Sequence, residues 1–207
     1  MRTLVVLTVL LAATSAHASW LDSITTQISS FFQSYEEAPY SVTATYAGYQ
    51  ERVYPARKWV CTEHTGHRED DDSTSNLFWN LFRYISGDNN SQQKIEMTIP
   101  VTTEYTKGTA TNTYEMCFYI GAEHQDDPAT PTEQKVTLQD RPEMTVLTRT
   151  VGGYMDDDED WLEEARRLAD IINANGETVS LSHMYWVGYD APFKFWNRRN
   201  EVWFVKN

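Results

Sequence analysis

Two stretches of helical periodicity, each set between strand-like runs, limit this 207-residue chain to a small set of folds. In the first, Leu77, Phe78, Leu81, Phe82 and Ile85 fall on one arc at about 100° per residue, while Asn80 and Arg83 lie off it. Ser73 to Ser75 offer capping hydroxyls before it, and Gly87 stops it. Trp79 points away from the arc, so it is expected to touch the lead-in segment or stand exposed. In the second, Trp161, Leu162, Ala165, Leu168, Ala169 and Ile172 share one face, opposite Glu163, Glu164, Arg166, Arg167 and Asp170. Asp156 to Asp160 precede this helix, where carboxylates favour the exposed N–H groups and dipole, and Gly176 ends it.

An amphipathic helix must bury its apolar face, and the flanking runs supply the surface. Tyr46 to Tyr54 and Lys58 to His64 come before the first helix, and Lys94 to Thr102 and Thr113 to Ile120 come after it. Pro100 places the third of these at an edge or a bulge. The second helix follows Val136 to Leu138 and Met144 to Thr150, and precedes His183 to Tyr189 and Glu201 to Val205. Gly121 to Thr132, polar and broken by prolines, joins the halves. Two successive β-β-α-β-β units imply a structural duplication, and the fold class is α+β: two helices laid on an antiparallel sheet or open barrel.

The N-terminus has Arg2, an apolar run from Leu4 to Ala13, and Ala16-His17-Ala18 at a cleavage-like position. This pattern predicts a signal peptide over 1–18, because a membrane span needs roughly 20 apolar residues. A lead-in over 19–38 carries Trp20, Leu21, Ile24, Ile28, Phe31 and Phe32 at helical spacing, and a single domain fills 39–207. Losing Arg2 takes the net charge of −13 to −14. Such an acidic chain is poorly suited to nucleic acid or anionic membrane, so neither is an expected partner, and stable membrane insertion is not expected. A secreted, extracellular location permits Cys61 and Cys117 to form a disulfide; two separate buried thiols are the alternative. Asn89-Asn90-Ser91 is a sequon, which makes Asn89 a candidate glycosylation site.

Several motifs, in order, carry a resemblance. Glu36-Glu37-Ala38-Pro39-Tyr40, Tyr49-Gln50-Glu51-Arg52-Val53-Tyr54 and Lys58-Trp59-Val60 open the series. Tyr84-Ile85-Ser86-Gly87, Met97-Thr98-Ile99-Pro100-Val101, Phe118-Tyr119-Ile120 and Val151-Gly152-Gly153 continue it. Gly188-Tyr189-Asp190-Ala191-Pro192-Phe193-Lys194 and Asn197-Arg198-Arg199-Asn200-Glu201-Val202-Trp203 close it. From about Glu36 to its end the chain resembles the SOUL heme-binding protein family. That resemblance implies a distorted antiparallel β-barrel flanked by two α-helices and a non-enzymatic role in binding heme or another tetrapyrrole. In the subgroup with a proposed axial histidine, that ligand precedes the tyrosine of Arg-His-Tyr; Val53 stands there in this chain and cannot ligate iron.

Heme is flat and apolar with two carboxylates, so it suits a groove of Met and aromatic residues with cations at its mouth. Met97, Phe118, Met144, Tyr185 and Phe193 are candidate walls, and Lys94, Lys194 and Arg198 are candidate propionate partners, Lys194 and approximately Lys94 by the resemblance. Ordinary core packing is the competing use of the walls. The same competition holds for Asn197 to Glu201, which suits either an anion or a hydrogen-bonded last turn. His64 and His67 make a His-x-x-His without supporting ligands, and His124 and His183 lie at a loop and a strand start, so no metal site or axial ligand is assigned. Asp156 to Asp160 lack the ligand spacing and central glycine of a calcium loop. Catalytic motifs such as Gly-x-Ser-x-Gly or His-Glu-x-x-His do not occur. A secreted tetrapyrrole-binding protein is therefore the leading reading, with a secreted interaction or matrix protein second and a small-molecule hydrolase third.

Overall fold

The computed structural model describes residues 35–66, 73–155, 157–190, 194 and 196–206. The chain divides into Met1–Tyr35 and Glu36–Asn207, and the expected signal peptide over 1–18 and most of the expected lead-in over 19–38 lie outside the described residues.

The second unit runs β1 (Glu36–Glu37), β2 (Ser41–Tyr46), β3 (Tyr49–Tyr54), β4 (Arg57–Gly66), α1 (Ser73–Ile85), β5 (Thr98–Ile99), β6 (Val101–Thr106) and β7 (Asn112–Tyr119). It continues with β8 (Val136–Arg141), β9 (Met144–Val151), α2 (Asp158–Ala174), β10 (His183–Gly188) and β11 (Asn200–Val205). Nine strands form one sheet in the order β2-β3-β9-β11-β10-β6-β7-β4-β8, while β1 and β5 make a separate parallel pair. Counting outward from the central antiparallel pair of β6 and β10, the order meets equivalent strands of the two halves: β7 and β11, then β4 and β9, then β8 and β3. The duplication therefore appears as a two-fold symmetric topology in which the halves exchange their first strands.

The sheet cannot be flat. β8 and β9 stand six strand spacings apart in the order, about 29 Å on a flat sheet. Only Pro142 and Glu143 separate Arg141 from Met144, and those three steps of chain span at most about 11 Å. The sheet must curl to bring the ends together, giving the distorted half-barrel with α1 and α2 on its outer face. Leu77, Leu81 and Tyr84 of α1 and Trp161, Leu168 and Ile172 of α2 fill the outer core against Phe118, Leu147 and Trp186. A second cluster, including Tyr54, Trp59, Val146, Val187 and Trp203, fills the hollow.

Several boundaries differ from those expected. The run from Tyr46 to Tyr54 starts at a hairpin turn, because Gly48 at φ 98° reverses the chain, and β2 lies on the N-terminal side. The run from Lys94 to Thr102 is divided at Pro100: Thr98 and Ile99 pair with β1, and the main ladder starts at Val101. Pro100 has no N–H to continue a ladder. On α1, Phe82 is 38% exposed although it belongs to the apolar arc. On α2, Asp157 accepts the Asp160 N–H as the N-cap, as the acidic lead-in suggested. Glu164, placed on the polar face by periodicity, is buried, with its charge met by Arg167 at 2.5 Å and Arg149 at 3.9 Å.

Asn89 corrects the glycosylation expectation. It is 2% exposed, its Nδ2 donates to Tyr84 O at 3.0 Å and Gln93 O at 2.8 Å, and its Oδ1 accepts the Gln93 N–H. The nitrogen that would carry a glycan is occupied inside the fold. The same turn holds the connecting segment in place: Thr130 N–H donates to Asn90 Oδ1, and the Tyr84 hydroxyl donates to Ala129 O. Burial pushes that phenol up to about 12.

Candidate functional site

Cys61 and Cys117 sit directly opposite each other on β4 and β7 and form a disulfide on the floor of the hollow. They group with Glu115 as possible metal ligands. Both sulfurs are spent in the bond, which leaves no thiolate to offer a metal.

Next to this floor lies a buried ionic network. Glu201 is fully buried, and Arg52 reaches both of its oxygens, at 3.1 and 2.9 Å. The Tyr189 hydroxyl and Trp203 indole donate to the same carboxylate at 2.9 and 2.8 Å, Arg199 at 3.0 Å, and Thr148 and Thr150 at 3.4 and 3.2 Å. Burial pushes the Glu201 pKa up, but Arg52, the Trp203 N–H, Arg199 and Tyr189 outweigh it and hold the group below the ordinary carboxylate value. Tyr40 lies under the Arg52 guanidinium, and Tyr189 under that of Arg199, which also meets Glu37 at 3.0 Å. The arginine of the opening motif and the glutamate of the closing one are thus partners across 149 positions.

At the other end of the hollow, Glu104 accepts from the Tyr185 hydroxyl at 2.7 Å and lies 2.6 Å from His183 Nε2. Arg141, entering from β8, sets its guanidinium 4.2 Å from the Trp59 ring centre and 5.3 Å from that of Tyr185. Burial draws its pKa down, opposed by Tyr185, Glu104 and Glu115. Burial also raises Glu115, whose Oε1 accepts from Gln139 at 2.5 Å. Side chains so fill the hollow that, among the described residues, the mouth pocket between Tyr54, Arg57, Trp59, Tyr119, Arg141 and Met144 has internal room of only about 10 Å³. That is room for about one water, far below the roughly 300 to 1,000 Å³ of pockets for drug-sized ligands, so a tetrapyrrole does not fit there without opening the barrel.

The outer face of α1 is different. Phe78, Trp79 and Phe82 form a contiguous aromatic group, with ring centres 5.4 to 5.9 Å apart. Trp79 is 50% exposed, and Phe78 anchors the group on buried Phe118 at 5.5 Å. Arg83 is exposed one turn on, and Lys94 is exposed beside the helix end, where Ile95 N–H donates to Ile85 O.

The structure divides the candidate ligand residues among three places. Phe118 and half-buried Met97 lie in the outer core next to α1, with Lys94 nearby. Met144 and Tyr185 lie across the sheet, in the hollow. Lys194 is ion-paired with Asp190 at 2.5 Å, and Arg198 donates to Lys194 O and lies 4.7 Å from the Tyr154 ring centre, both in the turn before β11. Phe193 and His67 lie outside the described residues. Trp79, Phe82 and Arg83 enter the site by exposure alone. The sequence signal for them was Trp79 standing off the apolar arc, whereas Phe82 lay on it.

The family profile described as SOUL heme-binding protein matches residues 35–205. Heme-binding protein 2 of Homo sapiens is 34% identical over 173 residues, covering 82% of this chain and 83% of that protein. Heme-binding protein 1 of Xenopus laevis is 31% identical over 164 residues, covering 77% and 84%. Among solved structures, the EcmrR C-terminal domain superposes with a TM-score of 0.54 at 12% identity, covering 81% of this chain and 98% of that one. A hydrolase from Listeria innocua does so with 0.50 at 9%, covering 79% and 94%. These two share the fold with the chain, and at such identities nothing of their activity transfers.

Proposed function

The chain belongs to the SOUL heme-binding protein family, and from that premise we propose that it is a secreted, non-enzymatic protein that binds heme or a related tetrapyrrole on the outer face of α1. The observation that carries the placement is the exposed aromatic group of Phe78, Trp79 and Phe82 beside a hollow too full to admit the ring. A flat apolar ring gains area on such a surface, and exposed aromatic patches of this kind mark binding sites. Met97 and Phe118 back the patch from the outer core, and Arg83 and Lys94 are the cations for the propionates. Val53 supplies no ligand to the iron, so holding rests on ring contact and charge. Cleavage after Ala18 would deliver the protein to the extracellular space, where the Cys61–Cys117 disulfide persists.

Titration of the protein with hemin, followed by the Soret band, tests this reading. The expected result is a saturable shift at micromolar protein. Changing Trp79 and Phe82 together to Ser should weaken binding at least about tenfold, the equivalent of 1.4 kcal/mol, while leaving the unfolding midpoint nearly unchanged. The filled hollow also favours a second reading, a secreted interaction protein without a heme role. Absence of a saturable shift would reject the first reading in favour of the second.

A further inference from the structure

Tyrosines mostly serve the interior of this protein, and Tyr154 does not. The chain has 12 of them; Tyr154 is 48% exposed, and the others are buried or half-buried. It lies between β9 and α2, just after Gly152 and Gly153, and Gly153 at φ 89° turns the chain there as few other residues would. The Arg198 guanidinium lies 4.7 Å from its ring centre, but among the described residues its hydroxyl has no hydrogen-bond partner. The hydroxyls of Tyr84, Tyr114, Tyr185 and Tyr189 all donate within the fold.

Carboxylates follow this phenol closely in the chain. Asp157, Asp158, Glu159 and Asp160 come after it, and no lysine or arginine lies between Thr150 and Asp160. Helix capping accounts for Asp157, which accepts the Asp160 N–H, and Asp158 accepts the Tyr114 hydroxyl at 2.6 Å. Those donors are neutral, so the negative charge stays. Asp157 and Glu159 are exposed, and Glu159 shares its charge with Arg166 at the surface. Tyr35 provides a comparison, since Glu36 and Glu37 follow it. It is half-buried, Glu36 accepts the Ala122 N–H at 2.8 Å, and Glu37 pairs with Arg199 at 3.0 Å.

We propose that Tyr154 is a sulfation site, modified during passage through the secretory pathway by a transferase with a cationic cleft; this rests on the secreted location proposed above. An acidic run is drawn to a cleft of opposite charge, and the exposed phenol before it is then presented to the sulfate donor. The Tyr154 oxygen attacks the sulfur of an adenylyl sulfate. The phenol O–S bond forms, the bond from sulfur to the nucleotide phosphate oxygen breaks, the phosphate leaves with the electron pair, and the phenol proton passes to a base of the transferase. The product adds one fixed negative charge at the surface beside α2.

Labelling of the purified full-length chain by a microsomal tyrosine sulfotransferase with sulfur-labelled donor tests the site without relying on secretion. Label is expected at Tyr154, abolished by Tyr154→Phe and unchanged by Tyr35→Phe. Asp157→Asn combined with Glu159→Gln keeps a capping side chain and should lower incorporation several-fold while circular dichroism shows α2 intact. Expressed in animal cells, the chain recovered from the medium should carry one sulfate at Tyr154, located by mass spectrometry and resistant to phosphatase. No label on the folded wild type, or label that survives Tyr154→Phe, would overturn the proposal. So would a secreted chain with Tyr154 bare or phosphorylated. A chain retained inside the cells would contradict the secreted location, and the labelling of the purified chain would then decide the site by itself.

Discussion

Glu201 shows most clearly what the motif residues do. Arg52 and Tyr54 come from the opening motif, Glu201 and Trp203 from the closing one, and in the fold Arg52 grips Glu201 while the Tyr54 ring lies 4.5 Å from that of Trp203. These positions hold the inside of the barrel rather than a ligand. Glu201→Gln would leave the buried Arg52 guanidinium without its counter-charge, and removing one partner of such a pair costs about 3–5 kcal/mol. The effect has a pH signature. Glu201 titrates below its ordinary value in the fold, whereas in the unfolded chain it takes a proton near about 4.3. Its stabilisation is complete above the unfolded pKa and is lost as pH falls through the folded one. The urea midpoints of wild type and Glu201→Gln should therefore lie far apart at pH 7 and converge as pH falls below the unfolded value and through the lower folded one. Glu115, raised by burial, contributes a slope of the opposite sign, but it is present in both proteins and cancels from the difference. A gap that stayed constant with pH would mean that Glu201 is not ionised in the fold.

At the scale of elements, the Cys61–Cys117 bond joins β4 to β7 across 56 positions and closes a loop that contains α1, β5 and β6. In the chain-entropy model such a loop is worth about 4 kcal/mol, so unfolding in urea with and without a thiol reductant should show a fall of up to that size. A fall much smaller than this would indicate a reduced chain that keeps the β4–β7 pairing in its unfolded state. Sequence showed where most elements lie, because periodicity is local: both helices, and the runs that became β3, β4, β7, β9, β10 and β11, are visible in it. It did not show β2, since a lone Gly48 was the signal for the hairpin turn, nor the division at Pro100, where β5 leaves for a partner that is distant in the chain. The candidate groove failed to assemble for the same reason. Alternation says which residues of one strand share a face, but whether Phe118 and Tyr185 share one depends on the pairing of β7, β6 and β10, and that pairing puts them on opposite sides.

The molecule as a whole raises the question of what keeps the sheet curled. One cause is the two-residue connection Pro142-Glu143, which ties β8 to β9 at short range. The other is the filling of the hollow, where Arg141 reaches from β8 to Thr102 on β6 and to Tyr185 on β10, strands that a flat sheet would hold three and four spacings away. Arg141, Trp59, Tyr185 and Met144 are buried there together, so the packing is sufficient to maintain the curl once formed. Inserting Gly-Ser-Gly between Pro142 and Glu143 separates the two causes. If packing holds the curl, the insertion adds only loop-closure entropy, about 1 kcal/mol for slightly more than one doubling of length. The further cost of Arg141→Met should then be the same in the inserted protein as in wild type. If the short connection holds the curl, the insertion frees β8, the loss is several times larger, and Arg141→Met costs little once the insertion has released it. A double-mutant cycle by urea unfolding distinguishes these outcomes. The expected coupling between insertion and substitution is near zero, because the contacts of Arg141 run to β4, β6 and β10 and none of them runs through the connection itself.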